Sequence, residues 1–287
     1  MTGISPALTV VQTGLLTTVQ DAGRFGQGAL GIGRSGACDR AAYRLANRLV
    51  GNDDGVAVLE VTFGGLVLRA NADVVLVTTG ARCEGMPHNA PLTLAAGGQL
   101  ALGPPVTGVR TYVAVRGGLD VPQVLGSRST DLLAGLGPDV LAAGDRLPVG
   151  RSAGQMPGVD VAAVPEPEAG EVVVQVQPGP RRDWFTDDSW RSLLKQSYTV
   201  TAQSNRVGLR LDGVPLERVR IGELPSEGMA RGALQIPPSG TPVLFLADHP
   251  TTGGYPVIAY VVDEDVDRCG QLRPGQKLRF TTLRLKR

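Results

Sequence analysis

Four polar segments of this chain mix charged, amide and hydroxyl side chains with glycine, a combination that can offer guanidinium, hydroxyl and backbone N–H donors to an anion. The first runs from Thr17 to Arg24 and resumes at Ser35-Gly36-Ala37-Cys38-Asp39. Arg24 offers a guanidinium fork there. Ser35 or Asp39 stands where a helix begins, so free backbone N–H groups could hold an anion. Capping of that helix by the same two residues is the competing reading. The second segment is Arg116-Gly117-Gly118-Leu119-Asp120, followed by Leu125-Gly126-Ser127-Arg128-Ser129-Thr130. Its Gly-flanked turn presents Arg128, Ser129 and backbone N–H groups to a carboxylate or phosphate, unless an arginine simply pins the turn to Asp120 or Asp131.

The third segment is Gln203-Ser204-Asn205-Arg206-Val207-Gly208-Leu209-Arg210, then Glu223-Leu224-Pro225-Ser226-Glu227-Gly228. Arg206 and Glu227 are expected partners, with Asn205 able to orient either, and a structural salt bridge explains them as well as a site does. The fourth is Gly232-Ala233-Leu234-Gln235, then Ala247-Asp248-His249-Pro250-Thr251-Thr252-Gly253-Gly254-Tyr255-Pro256. It lies between two strongly apolar runs, as a loop at one rim of a sheet or barrel would. Asp248 supplies a base, Thr251 and Thr252 hydroxyl donors, Gly253-Gly254 room for close backbone approach, and Tyr255 an amphipathic wall. His249, a lone histidine before proline, reads as a rim residue rather than a catalyst.

These segments need elements to hold them. Gly and Pro make up about a fifth of the 287 residues, well above the roughly 12% of average chains. Such punctuation points to many short strands and tight turns. Short apolar runs rich in β-branched residues recur at Leu8–Val11, Val56–Val61, Val74–Thr78, Thr111–Val115, Val172–Val176, Val243–Leu246 and Val257–Val262, and are expected strands. Helices are expected at Asp39 to Val50, stopped by Gly51-Asn52, and at Asp187 to Gln196, acidic in its first turn. Leu-x-x-Gly-x-x-Leu occurs at Leu94–Leu100, Leu141–Leu147 and Leu272–Leu278. It reads either as a turn entering a strand or as the trace of a duplicated lobe. Residues 151–170 lose periodicity and are expected to connect an N-terminal β lobe, 1–150, to a C-terminal one, 171–287.

Composition removes whole classes of function. The charge is near neutral, 28 basic against 27 acidic residues, and aromatics are 4%, so no nucleic-acid partner is expected. Cys38, Cys83 and Cys269 are odd in number and widely spaced, against a disulfide framework or cysteine metal site and in keeping with the cytoplasm. Met1 to Val11 has no signal-peptide pattern and no run is long enough to span a membrane. H-E-x-x-H, G-x-x-x-x-G-K-[ST] and G-x-S-x-G are all missing, which removes zincin, P-loop and nucleophile-elbow chemistry. Of the 28 basic residues only Lys195, Lys277 and Lys286 are lysines; the rest are arginines, suited to fixed planar contacts with carboxylate or phosphate.

Taken in order, Thr17–Arg24, Ser35–Asp39, Ala46–Asn52, Gly117–Thr130, Gly179–Phe185, Ser204–Gly213, Ser226–Gly240, Ala247–Pro256 and Gln271–Gly275 resemble the allophanate hydrolase subunit 2 family. This biotin-dependent carboxyltransferase-type family includes the C-type subunit of 5-oxoprolinase. Arg24, Arg128, Asn205, Arg206, Asp248 and Thr251–Tyr255 match its pattern, while Cys38 and His249-Pro250 depart from it. The resemblance implies a mainly β protein of two joined, cyclophilin-like β-barrel lobes with a few short helices. It implies a B-type 5-oxoprolinase subunit as partner, and a third subunit. The implied reaction is ATP-dependent opening of the 5-oxoproline lactam to glutamate, with ATP and Mg used by the complex and no cofactor held covalently.

Family membership fixes a fold more firmly than a reaction. On this reading Asp248, Arg206 and Arg128 are the catalytic candidates; Arg24, Ser129, Asn205, Glu227, Gln235, Thr251, Thr252 and Tyr255 bind substrate. Two alternatives stay open: carboxyl transfer from biotin to a urea-like amide, and a non-catalytic regulator that binds a kinase-inhibitor partner. The chain has no Met-Lys-Met biotinylation motif, so under the first alternative biotin arrives on another protein. The amide hydrolysis in the family's name needs a Ser-Ser-Lys arrangement that is not found here.

Overall fold

A computed structural model describes residues 5–283 apart from 153, 221 and 223. The protein is mainly β and divides into two compact units. The first comprises residues up to 25, 35–131 and 135–167; the second comprises 26–34, 132–134 and 168 onward.

The first unit holds β1 (Ala7–Thr13), β2 (Leu16–Gln20), β3 (Val58–Thr62), β4 (Leu66–Ala70), β5 (Val74–Gly80), β6 (Leu92–Leu94), β7 (Gln99–Ala101), β8 (Arg110–Val115), β9 (Arg146–Pro148) and one helix, α1 (Arg40–Leu49). The strands form two antiparallel sheets, β7-β4-β1-β9 and β2-β3-β8-β5-β6. Alternation along the second sheet assigns its two faces. Leu59, Leu76 and Val113 join Leu8, Val10, Leu66, Leu68 and Leu100 in a core with the first sheet. Val58, Val77, Tyr112 and Ala114 turn the other way, onto Ala42, Tyr43, Ala46 and Leu49 of α1. Burial on both faces explains why these strands read as nearly unbroken apolar runs.

The second unit holds β10 (Val172–Pro178), β11 (Ser197–Val200), β12 (Gly208–Asp212), β13 (Glu227–Gly228), β14 (Ala233–Gln235), β15 (Val243–Phe245), β16 (Thr252–Gly253), β17 (Val257–Val261) and β18 (Lys277–Thr282). Helices α2 (Asp187–Lys195) and α3 (Asp263–Cys269) complete it. Seven strands close into a barrel in the order β10-β17-β14-β15-β12-β11-β18, sealed by the parallel pair β10–β18. Inside, Val174, Tyr198, Leu209, Leu234, Leu244, Ile258 and Phe280 are fully buried, and the Tyr198 and Phe280 rings lie 5.6 Å apart. Burial raises the Tyr198 hydroxyl above its ordinary pKa. β13 and β16 form a separate two-stranded ribbon.

The mainly β reading, the seven expected strands and both expected helices are present. Barrel closure is seen in the second unit, while the first is built from two sheets. Each Leu-x-x-Gly-x-x-Leu stretch is a turn entering β7, β9 or β18. Its glycines Gly97, Gly144 and Gly275 hold φ of 81°, 96° and 86°, a region that costs any side chain with a Cβ. The repeat is therefore turn chemistry, and it recurs in both units.

Candidate functional site

The structure gathers the expected site residues into three groups, one in the first unit and two in the second. In the first unit, β2 runs into a turn at Asp21-Ala22-Gly23, where Gly23 has φ 93°. The buried Asp21 carboxylate is the hub of that turn. Its Oδ1 accepts from Gly23 N at 2.8 Å, Ser127 Oγ at 2.7 Å and Ser129 Oγ at 2.6 Å, and its Oδ2 from Arg128 N at 2.6 Å. Ser129 Oγ accepts in turn from Asp21 N at 3.0 Å. The Ser129 hydroxyl thus works within this hub. Arg128 is clamped nearby, donating Nε to Val121 O at 2.6 Å and Nη2 to Asp120 Oδ1 at 2.8 Å. That is the turn-pinning arrangement weighed from sequence. Arg24 is only 2% exposed and donates Nη2 to Ser129 O at 2.5 Å.

The same unit contains a buried network outside the expected set. Glu60 Oε2 accepts from Tyr112 Oη at 2.7 Å and from Cys38 N at 2.9 Å, and Arg110 Nε lies 3.3 Å from Oε1. Tyr112 Oη accepts from Asp39 N at 2.8 Å, while Asp39 Oδ1 caps α1 through Ala42 N at 2.9 Å. Burial first, then the neighbouring Glu60 and Asp39 carboxylates, hold the Tyr112 hydroxyl well above its ordinary pKa, so it stays a donor to Glu60. At Asp39 the structure therefore shows the capping arrangement.

In the second unit, pairing of β12 with β15 brings Arg206, just before β12, beside Asp248, just after β15. Arg206 Nε donates to Asp248 Oδ2 and Nη2 to Oδ1, both at 2.9 Å, with side chains 1% and 0% exposed. This is a buried fork-to-fork ion pair. Leu132 N adds a bond to Asp248 Oδ2 at 3.2 Å. Asn205 builds the turn ahead of the pair, its Oδ1 accepting from Val207 N at 2.8 Å. Thr251 Oγ1 donates to Gly31 O at 3.3 Å.

The third group surrounds the β13–β16 ribbon, whose register sets Glu227 opposite Gly253 and Gly228 opposite Thr252. Gln235 of β14 donates Nε2 to Tyr255 O at 3.2 Å. A Cβ on Gly253 would stand 2.7 Å from that nitrogen, so this position keeps glycine for close approach. Glu227 is gripped by both Nε, at 3.1 Å, and Nη2 of Arg181. The Arg206–Glu227 pair expected from sequence is thus corrected to two separate pairs, Arg206–Asp248 and Arg181–Glu227. Arg218 donates to Ile236 O, and burial lowers its pKa despite the opposing influence of Tyr255. Tyr255 is 44% exposed and the Arg181 and Glu227 side chains 35% and 24%, so this group meets solvent where the Arg206–Asp248 pair does not. Glu223 lies outside the described residues.

The family model for the carboxyltransferase domain, subdomain A and B, matches residues 30–282. The chain belongs to this family. It is 38% identical to the C-type subunit of 5-oxoprolinase from Escherichia coli K12, over 97% of this chain and 92% of that protein. Among solved structures, that of TTHA0988 superimposes with a TM-score of 0.87 at 39% identity, covering 98% of this chain and 56% of that one. The urea carboxylase of Kluyveromyces lactis superimposes with a TM-score of 0.89 at 28% identity, covering 98% of this chain and 28% of that one.

Within this carboxyltransferase-family chain, sequence reasoning passed over Asp21, Glu60, Tyr112 and Arg181. Glu60 carried a usable signal, since a carboxylate inside the apolar run Val58-Leu59-Glu60-Val61 has to be paired when buried. Asp21 two residues before Gly23 carried another, the signature of a side chain that closes its own turn. Arg181 carried none beyond its place in the Gly179–Phe185 stretch. Among the described residues no group of three or more His, Cys, Asp or Glu could hold a metal ion, and no helix is long and apolar enough to cross a membrane.

Proposed function

We propose that this chain is the C-type subunit of a cytoplasmic, ATP-dependent 5-oxoprolinase complex that opens the 5-oxoproline lactam to glutamate. It would act with a B-type subunit and a third component. The observation carrying this reading is the nearly end-to-end correspondence with the C-type subunit of Escherichia coli 5-oxoprolinase, which covers 92% of that protein. The group of Arg181, Glu227, Gln235, Thr252 and Tyr255, which reaches solvent through Arg181, Thr252 and Tyr255 while Gln235 lies buried behind them, supplies guanidinium, amide and hydroxyl groups for a polar cyclic amide. The Arg206–Asp248 pair ties the start of β12 to the end of β15, and Thr252 and Tyr255 of the rim follow Asp248 in the chain. ATP with Mg provides activation of the amide within the complex. The absence of a P-loop motif in the sequence favours nucleotide binding on a partner.

A second reading is carboxyl transfer to a urea-like amide, favoured by the fold shared with urea carboxylase at a TM-score of 0.89. Co-purification of the chain with B-type and third subunits separates the two. The first reading expects glutamate release that depends on 5-oxoproline and ATP, and no dependence on biotin or bicarbonate. A folded complex that releases no glutamate, or that consumes bicarbonate on a biotinylated partner, overturns it.

A further inference from the structure

Burial normally obliges a polar group to find a partner, and a buried charge above all. Three side chains of the first unit break that rule together. Arg24 is 2% exposed and, among the described residues, its Nε and Nη1 have no partner; only Nη2 is bonded, to Ser129 O. Gln20 is fully buried, and its Oε1 has no partner. Thr130 is 4% exposed, with Oγ1 likewise unpartnered.

The three side chains share one short stretch of backbone, Ser129-Thr130. Gln20 Nε2 donates to Thr130 O at 2.9 Å, and Arg24 Nη2 donates to the carbonyl of the preceding residue, Ser129. The Gln20 orientation is fixed chemically, because the Thr130 carbonyl is an acceptor and demands the NH2 end of the amide. The backbone of Gly137 packs closely against Ser129 and the guanidinium. Its φ is 88°, and a Cβ there would fall 2.0 Å from Ser129 O and 2.6 Å from Arg24 Nη2. The nearby Asp21 carboxylate is engaged with Gly23 N, Arg128 N and the hydroxyls of Ser127 and Ser129. Among the described residues, none of the bonds to that carboxylate comes from Arg24.

We propose that Gln20, Arg24 and Thr130 form a receptor for a small ligand carrying a carboxylate and, beside it, an N–H donor. The three unused N–H donors of Arg24 and the Thr130 hydroxyl complement the carboxylate; Gln20 Oε1 accepts from the N–H. 5-Oxoproline has both groups on adjacent atoms of its ring, and the choice of that ligand rests on the function proposed above. The receptor would hold the end of the substrate that does not react and so orient the lactam bond.

Calorimetric titration of the full chain tests this with three probes. 5-Oxoproline binds; 2-pyrrolidone, lacking the carboxylate, binds at least 100-fold more weakly; N-methyl-5-oxoproline, lacking the N–H, binds about 10-fold more weakly. Arg24→Gln weakens 5-oxoproline binding at least 30-fold, and Thr130→Val about 5-fold, with circular dichroism unchanged. Should Arg24→Gln fail to fold, the probe series on the parent chain still decides. Equal binding of all three probes, no binding of 5-oxoproline, or full affinity in Arg24→Gln overturns the receptor. So does a crystal soaked with 5-oxoproline in which only water meets Arg24. In the reconstituted complex, glutamate release with an unchanged KM in Arg24→Gln sinks the receptor and leaves the function standing. Arg24-dependent binding of 5-oxoproline by a complex that releases no glutamate does the reverse.

Discussion

Two arginines of this protein are equally hidden from solvent and differently provided for. Arg206, in the second unit, meets Asp248 through two parallel bonds of 2.9 Å. Arg24, in the first, is 2% exposed and makes one bond, to the Ser129 carbonyl. A matched buried fork braces the backbone it spans. A buried fork with donors left over is poised for something the chain does not itself supply. Burial alone does not distinguish the two roles; the inventory of partners does.

That contrast can be broken by substitution. The largest effect is expected at Asp248→Ala, which strands the Arg206 charge in the interior and costs about 3–5 kcal/mol in urea denaturation. Arg24→Met removes a poorly paired charge instead, and its stability should stay within about 1 kcal/mol of the parent. Comparable losses for the two would erase the distinction. Asp21→Ala opens the hub that holds Gly23, Ser127, Arg128 and Ser129. Several donors then lose their acceptor, at a cost of about 3 kcal/mol. Parent-like melting of this variant would demote Asp21 from hub to bystander.

Smaller effects sharpen the comparison. Tyr112→Phe removes the hydroxyl between Glu60 and Asp39 N, and denaturant titration should show a loss of about 1–2 kcal/mol. Glu227→Gln at the half-exposed rim should shift stability by less than about 1 kcal/mol. If the rim binds substrate, the same variant raises KM for 5-oxoproline in the complex. A stability loss as large as that of Asp248→Ala would instead make Arg181–Glu227 a second brace.

Much of the scaffold was legible in the chain. The spacing of Ala42, Ala46 and Leu49 marks α1, and Asp39 caps it as its position ahead of that run suggests. The β-branched runs mark their strands, because burial on both faces of the five-stranded sheet leaves little polar interruption. Partner choice was not legible. Arg206 and Asp248 are 42 residues apart and meet because β12 pairs with β15, a register that no local pattern specifies. Arg206 therefore looked toward Glu227, which Arg181 holds. Arg24 was legible as a binding candidate from its Gly-flanked guanidinium, whereas its unmet donors could be seen only once Ser129, Thr130 and Gly137 were in place around it.

The most direct measurement is thermal denaturation of the parent chain and of Arg24→Met, each with and without 5-oxoproline at about 100 times its dissociation constant. Ligand binding of that strength adds about 2.7 kcal/mol to the native state, a rise in Tm of at least about 4 °C for a chain of this size. The parent should show that rise and Arg24→Met should not. A rise of equal size in both, or in neither, contradicts the assignment of Arg24 as a receptor.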